Sequence, residues 1–169
     1  MRRLRRLVDR ALAGALIAIM GVMVVNVLWQ VVTRFVLRAP SSYTEELARF
    51  LLIWLSLLGG AYVAGQGLHL AIDLLPQRLQ GARRRQAAAI VNGAVLLFAL
   101  GAMVIGGVRL VYLSFALQQI SAALQVSLGY VYLVVPLSGI LIVFYGLTSM
   151  MAPDEPGDRD PAVAADRSV

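Results

Sequence analysis

Hydrophobic residues along this chain fall into long blocks that contain no Asp, Glu, Lys or Arg. The blocks cover residues 11–33, 50–68, 86–108 and 110–152. Each approaches or exceeds the roughly 20 residues, at about 1.5 Å per residue, that a helix needs to cross about 30 Å of hydrocarbon. The pattern predicts an all-α integral membrane protein with four transmembrane helices.

Local signals suggest where these helices begin and end. We expect helices over about 12–37, 43–75, 87–113 and 128–151. Ser42-Tyr43-Thr44-Glu45 has the spacing of a capping box at the start of the second helix, and Pro76 follows its expected end. That helix is longer than one crossing needs, so we expect a strong tilt or an amphipathic interfacial turn before helix 2. Pro136 predicts a kink in the fourth helix.

The arginines predict how the helices are oriented. Nine of them lie in residues 1–10 and the 76–86 linker, whereas residues 34–49 and Arg109 supply the few on the other side. Because basic loops stay in the cytoplasm, we expect both termini to be cytoplasmic. The chain then divides into a basic cytoplasmic segment (1–10), a four-helix membrane domain (11–152) and a disordered acidic cytoplasmic tail (153–169). The first apolar block has 23 residues, too many for the core of a secretory signal.

The amino-acid composition excludes several kinds of site. The chain has no Cys and one His, which excludes a disulfide scaffold, a thiolate zinc site and a cysteine nucleophile. No cluster of acids, bases or nucleophiles shares one membrane depth, so we expect no metal site, no cofactor and no enzymatic activity. The net charge of +6 resolves into segments that suit a bilayer, so we expect membrane lipid and no nucleic acid as a partner.

The centres of the four expected helices contain no ionisable residue. The charged or ionisable residues at membrane depth are Arg34, Arg49, His69, Asp73 and Arg109, and all lie toward helix ends. A carrier driven by protons or ions needs such a group near the centre. We therefore interpret the chain as part of a larger assembly. A self-sufficient small carrier built from several copies, or a membrane enzyme, is the alternative.

Polar and small residues recur at helical spacing. Asn26, Gln30 and Arg34 form a stripe that packs inside the helix bundle or faces another subunit. Two overlapping pairs of small residues, Gly60 with Ala64 and Ala61 with Gly65, leave the same two interpretations open.

Two pairs of ionisable residues are also within reach of each other. His69 and Asp73 are one turn apart and can form a local pair, a subunit contact or a proton-handling site. We also expect an ion pair between Arg109 and Glu46, which four spans place at one level.

Six segments, in their order and spacing, resemble the small, DctQ-type membrane subunit of tripartite ATP-independent periplasmic (TRAP) transporters. The resemblance covers about residues 5–150. It departs from the family pattern at Gly65, where the family often has a basic residue four positions before the histidine. The segments are Asn26-Val27-Leu28-Trp29-Gln30-Val31-Val32-Thr33-Arg34, Tyr43-Thr44-Glu45-Glu46-Leu47-Ala48-Arg49, Leu58-Gly59-Gly60-Ala61, His69-Leu70-Ala71-Ile72-Asp73, Ser121-Ala122-Ala123-Leu124 and Val135-Pro136-Leu137-Ser138-Gly139.

The resemblance implies a bacterial inner-membrane complex. In it a periplasmic binding protein delivers an organic anion to a large multi-span subunit, which typically moves the anion with sodium. The small subunit is a non-catalytic scaffold beside the large one and helps to receive the binding protein. The large subunit would be a separate polypeptide.

The resemblance also implies two sets of contact residues. The rim that meets the binding protein would contain Arg34, Arg38, Tyr43, Glu45, Glu46 and Arg49. The contact with the large subunit would contain Trp29, Trp54, Gly59, Gly60 and His69.

Overall fold

The structure is a computed structural model that describes residues 2–38, 41–66 and 82–151. These residues form helices α1 (Arg2–Phe35), α2 (Ser42–Gly65), α3 (Ala82–Phe98), α4 (Gly107–Ala116), α5 (Leu128–Tyr132) and α6 (Val134–Met151). A π-helical segment, Ala99–Gly106, joins α3 to α4 without a break.

Four continuous stretches of this part of the chain are long and apolar enough to cross a membrane. They are Arg3–Phe35, Ser42–Gly65, Ile90–Ala116 and Leu128–Thr148. We call them spans 1 to 4. The prediction of an all-α protein with four membrane-spanning helices is therefore confirmed.

Span 2 is shorter than expected. The helix ends at Gly65, and the backbone N–H of Gln66 donates to the carbonyls of Tyr62 and Val63 at 3.1 and 3.2 Å. Gly65 and Gly67 flank Gln66, and each glycine disfavours a helix by about 1 kcal/mol relative to alanine. The 24 residues rise about 36 Å, so span 2 needs no steep tilt. Residues 67–81, including Pro76, lie outside the described residues.

The start of span 2 also differs in detail. Ser41, not Ser42, is the N-cap residue, and its side chain makes no capping hydrogen bond. The Thr44 hydroxyl instead donates to the Ser41 carbonyl at 2.8 Å. The predicted capping box is therefore wrong. Residues 36–38 form a turn and 39–40 lie outside the described residues, so the interfacial turn expected before this helix stays a prediction.

The helical hydrogen bonding of span 4 is interrupted near Pro136. Helix α5 ends at Tyr132 and α6 begins at Val134, and Leu133 between them keeps helical dihedral angles, φ −55° and ψ −28°. Pro136 has no N–H to donate to the Tyr132 carbonyl, four residues before it. The hydrogen-bonding pattern is therefore interrupted about one turn before Pro136, while the kink expected there stays a prediction.

The spans pack side by side in the order 1–2–4–3. Span 1 packs on span 2, span 2 on span 4, and span 4 on span 3. The buried apolar centre of the row consists of Leu12, Leu58, Val134 and Tyr145. Spans 1 and 3 therefore form the two edges of the row, and each has one side that no described helix covers.

Close approach between spans depends on glycine at several points, of which Gly65 and Gly139 are examples. A Cβ at Gly65 would lie 2.7 Å from the ring of Tyr145, and a Cβ at Gly139 would lie 2.7 Å from the Cβ of Met103. Ala61, which pairs with Gly65, is completely buried. This pair of small residues packs inside the chain, whereas a Cβ at Gly60 would meet nothing within 4 Å.

Candidate docking surface at the loop end

One end of the row, which we call the loop end, contains most of the polar candidates. It is formed by residues 30–38, 41–49 and 117–128. Asn26 is buried and its side-chain amide donates to the Thr44 carbonyl at 2.8 Å. This bond joins span 1 to the first turn of span 2. The Asn26 stripe thus begins as an internal packing contact, while Arg34, two turns further on, is exposed.

Glu46 fastens the connection between spans 3 and 4 to the start of span 2. Its Oε2 atom accepts hydrogen bonds from the backbone N–H groups of Ala123 at 2.8 Å and Leu124 at 2.9 Å. A carboxylate that accepts two amides makes charge-assisted bonds, which are stronger than neutral ones. Glu46 therefore holds a segment 77 residues away in sequence against helix α2.

The segment that Glu46 holds, residues 117–128, is itself folded and we call it the clamped loop. The N–H of Ser121 donates to the Val126 carbonyl, and the N–H of Leu128 donates to the Gln119 carbonyl, both at 2.9 Å. Gln118 and Gln125 adopt φ values of 48° and 55° at its two bends. Ser121, within this loop, is buried. The clamped loop is thus a defined surface feature.

The Glu46 contact replaces the ion pair expected from the sequence. Among the described residues, the recorded ion pair joins Arg49 Nη2 to Glu45 Oε1 at 3.5 Å. Arg109 has no hydrogen bond or ion pair with any described residue. The predicted Arg109–Glu46 bridge is therefore wrong, because the loop amides occupy the carboxylate.

The residues predicted to meet a binding protein lie together at this end. Arg34, Arg38, Tyr43, Glu45 and Arg49 are exposed, and Glu46 is half-buried under the clamped loop. A shallow cleft of about 160 Å³ runs between spans 1 and 2 and is lined by Gln30, Arg34, Ser41, Ser42 and Glu45. The structure thus brings the rim into one neighbourhood with three exposed arginines and one exposed glutamate. Its role stays a prediction.

Of the residues predicted to meet a large subunit, the four that the structure describes have different surroundings. Trp29 is 57% exposed. The indole N–H of Trp54 donates to the Val131 carbonyl at 3.1 Å, which joins span 2 to span 4. Gly59 faces Leu16 of span 1, whereas Gly60 is open. His69 lies outside the described residues, as does its predicted partner Asp73.

The opposite end of the row, which we call the terminal end, contains a polar cluster that the sequence did not reveal. The Tyr145 hydroxyl of span 4 donates to Asp9 Oδ1 of span 1 at 2.6 Å. The Arg5 guanidinium donates to the Gly65 carbonyl at the end of span 2 and lies 6.0 Å from the Tyr145 ring. The one available signal was the Arg5–Asp9 spacing of four, which also occurs on ordinary exposed helix faces.

Because of these contacts the basic N-terminal segment is helical. Helix α1 begins at Arg2, about ten residues before the predicted start of helix 1. Arg5 and Asp9 turn toward the other spans, while Arg3 and Arg10 are exposed. In the described residues no group of three or more His, Cys, Asp or Glu side chains could hold a metal ion.

Four apolar helices in a row, with charged contacts only toward the ends of the described spans, define a multi-pass membrane protein. Residues 23–153 match the DctQ component of the tripartite ATP-independent periplasmic transporters. The chain belongs to this family. It is therefore a subunit of a TRAP transporter and a multi-pass protein of the bacterial inner membrane.

Individual relatives agree with this assignment. The chain is 25% identical over 144 residues to the sialic acid TRAP transporter small permease protein of Vibrio cholerae, covering 85% of this chain and 82% of that protein. It is 30% identical over 102 residues to the C4-dicarboxylate TRAP transporter small permease protein of Rhodobacter capsulatus, covering 60% and 44%. A TRAP transporter small permease protein of Haemophilus influenzae is 33% identical over 79 residues, 47% of this chain and 49% of that protein. The chain thus spans about half the length of the last two relatives.

Proposed function

We propose that this chain is the non-catalytic scaffold subunit of its transporter. It would support the large subunit and help to dock the periplasmic binding protein during sodium-coupled uptake of an organic anion. The observation that carries the scaffold role is the placement of carboxylates. In the described residues every Asp and Glu lies at a helix end, as Asp9, Glu45 and Glu46, and no His occurs. A coupling ion or proton therefore meets no carboxylate or imidazole in the middle of these spans.

The proposed substrate class rests on the names of two relatives. One belongs to a sialic acid transporter and one to a C4-dicarboxylate transporter. Both substrates are carboxylic acids that are anions at neutral pH. We therefore extend the class, and not either substrate, to the transporter of this chain.

Reconstitution tests the scaffold role. Liposomes would contain this chain alone, the large chain alone, or both with the binding protein, under an inward sodium gradient. A labelled panel of sialic acid and C4-dicarboxylates serves as the probe, and protein-free liposomes give the background. We expect accumulation only with the complete set and only with sodium. Accumulation by this chain alone would instead support the homo-oligomeric carrier.

The proposed docking rim consists of the exposed residues Arg34, Arg38, Tyr43, Glu45 and Arg49 beside the clamped loop. Its support is the shared location of three arginines and one glutamate on a fixed surface. Such a charged rim accelerates encounter with an acidic partner surface more than it tightens the final complex. Glu46 contributes indirectly, because its carboxylate is engaged by the loop amides.

Binding kinetics test the rim. The full complex in nanodiscs is immobilised and the binding protein is added at several salt concentrations. We expect Arg34→Gln to slow association about severalfold at low salt, with the difference shrinking as salt increases. Arg3→Gln, a matched loss of an exposed arginine at the terminal end, is the control. Equal association rates for the two variants would argue against the rim.

A further inference from the structure

Arg109 lies within span 3 and has no partner in the described part of the chain. It is exposed and follows the midpoint of Ile90–Ala116 by about 9 Å, at 1.5 Å per residue. Half the hydrocarbon thickness is about 15 Å. A span centred in the bilayer therefore places the Arg109 backbone inside the hydrocarbon.

Within residues 2–38, 41–66 and 82–151, both carboxylates at the loop end are engaged elsewhere. Glu46 accepts the amides of Ala123 and Leu124, and Glu45 pairs with Arg49. Arg109 is instead flanked by Ile105, four residues before it, and Tyr112, three residues after it, which are 65% and 70% exposed. A charge at this depth therefore lies on an apolar, uncovered face.

Lipid headgroups are poorly placed to solvate this guanidinium. Helical side chains lean toward the helix N-terminus. The C-terminus of span 3 leads into the clamped loop, so the Cα–Cβ bond of Arg109 is tilted toward the bilayer centre and away from the nearer headgroups. Charged residues within spans almost always face protein or a water-filled cavity. A protein partner therefore accounts for Arg109 better than lipid does.

The two edges of the row differ in this respect. On span 1, Ile17, Val25 and Leu28 are exposed, and no ionisable residue occurs between Arg10 and Arg34. The exposed edge of span 1 is therefore compatible with contact with lipid chains. The exposed face of span 3 combines the lone arginine with exposed Ala102 and Gly106, and small residues let another helix approach closely.

From this contrast we propose that the exposed face of span 3, centred on Arg109, seats the large multi-span subunit of the transporter. The large subunit presents a carboxylate or free carbonyls at a helix end opposite the guanidinium. This inference rests on the proposed scaffold function, and it places the contact on the opposite edge from Trp29.

Photo-crosslinking in the co-expressed, intact complex tests the location. A photoreactive phenylalanine analogue replaces Ile105 or Tyr112 on span 3, and Val25 or Leu28 on span 1 as matched exposed controls. We expect adducts with the large chain from span 3 and only lipid or no adducts from span 1. Adducts from span 1 alone, with an intact complex, would overturn this inference and leave the scaffold function standing. Failure of the two chains to co-purify would overturn both.

Substitution of Arg109 tests whether its guanidinium makes the contact with the large subunit. The large chain recovered per small chain in mild detergent should fall about tenfold or more in Arg109→Leu, because the opposing acceptor loses its partner, and less in Arg109→Lys. Thermal unfolding of the small chain alone should change little, since Arg109 has no described partner. Unchanged recovery, together with a loss of stability in vesicles of anionic lipid, would assign Arg109 to a lipid phosphate and overturn the proposal.

Discussion

The two ends of the helix row are fastened by different chemistry. At the loop end, side chains bond to backbone: Asn26 donates to the Thr44 carbonyl, and Glu46 accepts the amides of Ala123 and Leu124. At the terminal end, two side chains bond to each other as well: Tyr145 donates to Asp9, while Arg5 donates to the Gly65 carbonyl and lies beside the Tyr145 ring. The loop end leaves its arginines exposed, whereas the terminal end draws Arg5 and Asp9 into the packing.

This difference indicates different purposes. Contacts with the backbone fix the shape of a connecting segment while the charged rim stays available to a partner. The contacts that Arg5, Asp9 and Tyr145 make at the terminal end fix spans 1, 2 and 4 relative to one another. Between the ends, the spans rely on close approach at small residues such as Ala61, which is consistent with the high cost of polar groups at the bilayer centre.

The largest expected effect comes from filling the close approach at the terminal end. Gly65→Leu forces the Tyr145 ring away from span 2, and overpacking of this kind costs about 3 kcal/mol. Gly60→Leu is the control, because it also replaces a glycine of span 2 but its side chain meets open space. Both variants gain helix propensity, so this gain cancels when their stabilities are compared. Thermal unfolding in detergent, followed by tryptophan fluorescence, should separate the two variants. Equal melting temperatures would contradict the packing of Gly65 on Tyr145.

The next effect concerns the clamped loop. Glu46→Ala leaves the Ala123 and Leu124 amides without their acceptor, which costs about 2 kcal/mol. Amide hydrogen exchange at these two residues should accelerate at least severalfold, while exchange in span 4 stays slow. Glu45→Ala is the adjacent control, because Glu45 pairs only with exposed Arg49. Equal acceleration in both variants would mean that Glu46 does not hold the loop.

A smaller effect is expected at the polar cluster of the terminal end. Tyr145→Phe keeps the ring against Gly65 but removes the donor to Asp9, a loss of about 1.5 kcal/mol for a bond to a charged group. The expected readout is a lower melting temperature in detergent with unchanged exchange in the clamped loop. Tyr130→Phe, at an exposed tyrosine of span 4, is the matched control. A Tyr145→Phe variant as stable as this control would show that the Asp9 contact contributes nothing.

What the sequence could and could not predict follows from the range of each interaction. The spans follow from block lengths, and the interruption before Pro136 follows from a missing N–H within one helix; both are local. The partner of Glu46 is 77 residues away, and that of Tyr145 is 136 residues away. No spacing in the sequence indicates such contacts. Trp54 illustrates the same limit, because its indole N–H turned out to serve the packing of spans 2 and 4.

The smallest effect on stability, with a distinct effect on binding, is expected at Arg49. Arg49 and Glu45 form an ion pair in which both side chains are more than two-thirds exposed, 68% and 69%. Such pairs contribute at most about 0.5 kcal/mol on a helix, so Arg49→Ala should leave the melting temperature almost unchanged.

The same variant removes a positive charge from the proposed rim, so association of the binding protein should slow at low salt and recover its wild-type rate as salt screens the charge. Glu45→Ala should change association in the opposite direction, because it increases the net positive charge of the same surface. A stability loss comparable to that of Glu46→Ala would mean that Arg49 belongs to the loop fastening rather than to the presented surface, and would remove the distinction between the two kinds of contact at this end.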